Sequence, residues 1–172
     1  FSSFSLLSLY FPQKFTIISP MYRLYVERKP GFENEAKSYL SQINGFLGIS
    51  SVTGVRYFNR YDIENVSDEV AKIAATRIFS EPQSDFVFTE KLPEHSGREI
   101  IWEFLPGQYD QRADSAEQCL SLLRGGLQAE GVKTLSDPPV VRCAKIVLLE
   151  GDVSDEEIKK IQNYLINPVD SR

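Results

Sequence analysis

The sequence has almost no histidine: His95 is the only one in 172 residues. It sits in the polar turn Pro93–Gly97, where a lone imidazole reads as a surface group and cannot build a His-rich metal site. Cysteine is nearly as scarce. Two thiols, Cys119 and Cys143, are too few for a disulfide framework, and each falls in an apolar periodic segment, so both are expected to be small, buried and reduced. That usage makes the reducing cytoplasm the expected compartment. No basic run occurs, and the formal net charge is -5. Nucleic-acid binding draws most of its affinity from Lys and Arg on phosphates, and anionic lipid recruits basic clusters, so neither nucleic acid nor membrane is expected as a partner. The apolar stretch Phe4–Phe11 is too short for a membrane span. Short motifs that carry chemistry are missing as well. There is no CxxC, HExxH or GxSxG, and neither phosphate-cradling pattern, GxxxxGK[ST] or GxGxxG.

What is present is an ordinary globular composition, 42% hydrophobic and 25% charged, in a chain long enough for one domain or two small similar halves. Residues 1–20 stand apart. They hold one Lys and no acidic residue, and they lack an initiating Met, a basic n-region and a small-x-small cleavage site. They are read as upstream translated sequence, with the working domain expected over 21–172.

From Met21 onward the pattern is clean. Tyr22, Leu24 and Val26 alternate along a half-buried strand that Pro30-Gly31 ends. Ala36, Tyr39, Leu40, Ile43 and Leu47 recur at helical spacing before Gly48. Val55–Ile63 reads as a second strand. Ser67 is the expected N-cap of a helix whose first turn holds Asp68 and Glu69 and whose buried stripe is Val70, Ile73, Ala74 and Ile78. Asp85–Glu90 is a third strand. A second series follows a polar turn: a strand over Glu99–Leu105, then a helix through Ala113, Ala116, Leu120 and Leu123 that is expected to stop near Gly125-Gly126. Val140–Leu149 reads as a long central strand, and Ser154 with Glu157 forms a capping box for the last helix.

The two series echo each other. VRYFNRYDIENVSDEV (55–70) and VRCAKIVLLEGDVSDEEI (141–158) both run strand, acidic turn, Val-Ser-Asp-Glu, helix. The expected fold is α+β: a two-layer sandwich with a mostly antiparallel sheet, helices on one face, and two pseudo-repeats over about 21–92 and 98–172.

One segment exceeds its local need. Between a strand and a helix, Gln108–Ala116 carries seven hydrogen-bonding side chains in nine residues, where a short linker needs only a turn and a cap. Asp114 or Ser115 can supply the cap. Gln108, Tyr109, Asp110, Gln111 and Arg112 remain. They read either as a polar solvated loop or, with Asp114 and Ser115, as a docking surface in which Arg112 and Asp110 make paired contacts. No catalytic, cofactor-binding or metal-ligating residue is assigned.

LPGQYDQRADSAEQC (105–119) resembles a signature of the N-terminal domain of phosphoribosylformylglycinamidine (FGAM) synthase, large single-chain type. VRYFNRYDIENVSDE, FSEPQSD and the last stretch from Val141 to Arg172 are also similar to that family, so the likeness covers essentially all of 21–172. The resemblance implies a part of an ATP-dependent, glutamine-hydrolysing C–N ligase of de novo purine (IMP) biosynthesis. That enzyme makes FGAM from formylglycinamide ribonucleotide (FGAR), ATP and glutamine. It further implies a domain similar to a dimer of the small accessory subunit of the multi-subunit form. Such a domain packs against the synthetase and glutaminase domains and keeps them in register for ammonia transfer. ATP and Mg belong to the full-length enzyme. The family continues past the position of Arg172 into its catalytic domains, so this chain is expected to be a non-catalytic fragment without a cofactor of its own.

Two rivals come from other classes. One is a free-standing ferredoxin-like binding module for RNA or protein, with Tyr57, Phe58 and Tyr61 as a stacking strand. The other is a small enzyme built on Asp110 and Arg112, which needs a concave pocket around them.

Overall fold

The computed structural model describes residues 21–172; the reading of residues 1–20 as a leader lies outside them. Five strands and four helices follow in the order β1 (Tyr22–Arg28), α1 (Asn34–Gly45), β2 (Val52–Glu64), α2 (Asp68–Arg77), β3 (Asp85–Thr89), β4 (Arg98–Glu103), α3 (Gln111–Ala129), β5 (Val140–Gly151) and α4 (Asp155–Leu165). The fold is α+β. The strands form one sheet in the order β3-β1-β2-β5-β4, and every neighbouring pair is antiparallel. Its backbone is the long β2–β5 ladder, from Val52 opposite Gly151 to Glu64 opposite Val140.

Period-2 alternation assigns the two faces. Leu24, Val26, Tyr57, Tyr61 and Ile63 point to the helical side, and there the core divides in two. In the first cluster α2 and α3 cover β1 and β2 through Val70, Ala74, Ala116 and Leu120. In the second, α1 and α4 cover β2, β5 and β4 through Ile43, Ile158 and Ile161 against Tyr57, Ile100 and Val147. Phe58, Ile146, Leu148 and Tyr25 bury themselves on the opposite face, which carries no helix.

That second face is closed by an unexpected route. Pro93–Gly97 reads in sequence as a simple turn, yet β3 and β4 lie at opposite edges of the sheet. The connection between them must therefore cross the sheet, and Leu92 packs onto the Phe58 cluster on the way. His95 sits on this crossing, exposed, with Nε2 2.9 Å from Glu99 Oε1.

Both caps read from sequence are present. The Ser67 hydroxyl accepts from the Val70 N–H, and Ser154 with Glu157 forms a full capping box. Three expectations are corrected. α3 does not stop at Gly125-Gly126 but runs through them to Ala129, because Leu127 is buried on the same stripe as Leu120. Its cap is neither Asp114 nor Ser115: Asp110 Oδ1 accepts from the N–H groups of Arg112 and Ala113 at 2.9 and 3.1 Å. Cys119 is exposed on the outer side of α3, not buried. No helix among the described residues is long and apolar enough to cross a membrane.

Candidate functional site

The gap between the two helix pairs leaves part of the sheet uncovered. A groove of about 840 Å³ opens there. Its floor is the middle of the β2–β5 ladder, Asn59 and Lys145, which are direct cross-strand partners. Val26 and Trp102 flank them in the same row, so two polar residues interrupt an otherwise apolar row. The start of α3 forms one wall, through Asp110, Arg112 and Ser115, and Leu165 and Asn167 at the end of α4 form the other.

The structure brings the segment Gln108–Ser115 to the rim of this groove and divides it. Gln108 and Tyr109 lie in the connection after β4, and Gln111 onward is helical. Gly107 turns the chain at φ +91, a conformation that favours glycine, and the Gln108 N–H donates to the Leu105 carbonyl at 3.0 Å. Tyr109 projects outward, 71% exposed, with its hydroxyl donating to Asp114 Oδ2 at 2.9 Å. The Gln118 amide donates to the same oxygen at 2.8 Å. Ser115 and Gln111 are open to solvent.

Arg112 and Asp110 do not pair with each other. The Asp110 carboxylate is used as the helix cap, and Arg112 Nη1 reaches down to donate to the Tyr61 hydroxyl at 3.2 Å. That placement sets the guanidinium over β2, close enough to bear on the Tyr57 and Tyr61 hydroxyls and the Cys143 thiol. Burial pushes both tyrosine hydroxyls up, with Arg112 opposing. Burial also pushes the Cys143 thiol up to about 12, and the Asp110 charge adds to this. A thiol so held is a poor nucleophile, since only the thiolate reacts.

The concave pocket that a small enzyme would need thus exists, and Asp110 and Arg112 both line it. Asp110 is bound to backbone N–H groups, Cys143 is held protonated, and hydroxyl, amide and cationic groups dominate what remains. The aromatic strand of the RNA reading is otherwise employed: Tyr57, Phe58 and Tyr61 are 5%, 0% and 6% exposed, so none has a free face for a base.

Neither Asn59 nor Lys145 was marked by sequence reasoning. The available signal was a polar interruption in each strand, Asn59 within Tyr57–Tyr61 and Lys145 within Val140–Leu149.

No family model, curated protein or solved structure matches this chain.

Proposed function

We propose that this chain is a non-catalytic coupling domain, equivalent to the N-terminal domain of FGAM synthase. In this reading it docks the synthetase and glutaminase domains of that cytoplasmic enzyme, so that ammonia from glutamine reaches FGAR and ATP. The observation that carries the proposal is the run LPGQYDQRADSAEQC. Its polar side chains are gathered around the start of α3, with the Tyr109 ring exposed beside them. Exposed tyrosine beside adaptable hydrogen-bonding groups is the composition that interface centres favour.

Descent from two similar halves is part of the same proposal, and three features support it. The order β1-α1-β2-α2-β3 is paralleled by β4-α3-β5-α4. β3 pairs antiparallel with the outer side of β1, and residues 170–172 lie antiparallel along the outer side of β4. There the Glu103 and Arg172 N–H groups donate to each other's carbonyls, both at 3.0 Å. Finally, Val55 and Val141 open the echoing stretches, which makes Asn59 the counterpart of Lys145, and these two also face each other across the central ladder. A two-fold axis relating the halves would pass between them, as in a dimer of a small subunit.

The test uses Tyr109→Ala. The isolated chain should keep its stability to within about 0.5 kcal/mol, because an exposed side chain and one exposed hydrogen bond are lost. In the complete enzyme the same substitution should weaken docking by about 2 kcal/mol if Tyr109 is a buried anchor. Glutamine-driven FGAM formation should then fall more than ammonia-driven formation. Equal loss of both activities would show that the residue does not couple the two sites.

A further inference from the structure

The inward face of a central strand is ordinarily apolar, because a cation placed there loses hydration. Lys145 occupies such a position, half-buried, beside Asn59 on the groove floor. Among the described residues neither Lys145 nor Arg112 forms an ion pair, although ten ion pairs or near pairs occur elsewhere. The carboxylates along the groove are already engaged. Asp110 caps α3. Asp170 accepts from Asn167 and Ser171. Glu103 pairs with Arg60 and Arg172. Glu35 lines a neighbouring pocket with Arg28, Asn59 and Arg112 and does not line the groove itself. Two cations thus stand in one concavity outside any ion pair, beside carboxylates whose hydrogen bonds go to other groups.

The neutral groups have the matching polarity. Asn59 Oδ1 accepts from the Tyr57 hydroxyl at 3.1 Å, which leaves the amide nitrogen of Asn59 as its free end, with no acceptor among the described residues. Ser115 adds a hydroxyl on the rim. Donors and positive charge therefore converge from three elements, β2, β5 and α3.

We infer that this groove binds a small anionic molecule whose phosphate or carboxylate sits between Lys145 and Arg112, over the Asn59 amide. A volume of about 840 Å³ is in the range of small-molecule sites and leaves room for an organic body beyond the acid group. The inference goes beyond the docking proposal: a domain that takes no anion still docks through Tyr109.

The experiment titrates the full chain with inorganic phosphate and, separately, with citrate. Each is matched in ionic strength by sodium chloride, and amide chemical shifts are followed. The expected result is a saturable shift of Asn59, Arg112 and Lys145 amides with one or both anions, at millimolar concentration. Lys145→Gln should weaken that binding by about tenfold or more. Ser115→Asp, at an exposed rim position that leaves the core intact, should weaken it comparably. Lys159→Gln, exposed on α4 outside the groove, should leave it unchanged. Saturation with phosphate alone assigns a phosphate ligand, and saturation with citrate alone assigns a carboxylate. A saturable shift with neither anion, or one that survives both Lys145→Gln and Ser115→Asp, overturns the inference.

Discussion

Produced separately, residues 21–92 and residues 98–172 should each be unfolded monomers. The reason is that neither half owns a core. The first cluster joins Leu24, Val26, Ile63 and Val70 to Ala116, Leu120 and Val141. The second joins Ala36, Ile43 and Tyr57 to Ile100, Val147 and Ile158. Each helix pair is mixed, α2 with α3 and α1 with α4, so cutting the chain strips every helix of its partner. The Tyr164 hydroxyl, which donates to Gln42 Oε1 at 2.9 Å, and the Phe46–Tyr164 ring contact would go as well. Burial of one large aliphatic side chain contributes about 1.5–3 kcal/mol, and whole domains are stable by only about 5–15 kcal/mol. Exposing four or five such residues is therefore enough to unfold either half. Far-UV circular dichroism and amide dispersion would measure this. A monomeric half that unfolds cooperatively would contradict the interlocked core.

Phe58→Ala should cost about 3–5 kcal/mol, read as a fall in the urea midpoint at unchanged slope. Phe58 is wholly buried, although it lies on the face without helices. Ile146, Leu148, Tyr25 and Phe88 surround it, Leu92 of the crossing segment packs on the cluster, and the Arg56 guanidinium lies 5.0 Å from the ring centroid. Arg56 is itself held by two 2.7 Å hydrogen bonds to Glu27, so little can collapse into the space that a lost ring would leave. A cost below about 1 kcal/mol would mean that this face is an open surface and not a second core layer.

Much of this architecture was legible in the sequence, for identifiable reasons. The extent of β1 was legible because its alternation from Tyr22 ends before Pro30-Gly31. Ser67 and Ser154 were legible as caps because each stands directly before acidic residues and a periodic apolar stripe. The start of α3 was harder to place. Asp110, Asp114 and Ser115 can all cap, and no buried residue precedes Ala113 to choose among them. The end of α3 was obscured by two glycines, whose helix penalty of about 1 kcal/mol each is outweighed by burial of Leu127. The outward turn of Cys119 was missed because it neighbours the buried Leu120, and one residue on a helix rotates the side chain by about 100°. The crossing of residues 90–97 was not legible, since turn residues do not reveal which sheet edges they join. The groove was hidden for the same reason. Asn59, Arg112 and Lys145 are far apart in sequence, and only strand register and helix placement bring them together.

The proposed coupling role is tested most directly by adding the folded chain to an FGAM synthase body from which the N-terminal domain has been removed. The account predicts that the chain binds this body and restores glutamine-driven FGAM formation, while turning over neither ATP nor glutamine alone. A folded chain that fails to bind and restores nothing, or one that shows FGAR-dependent ATP turnover alone, would contradict it.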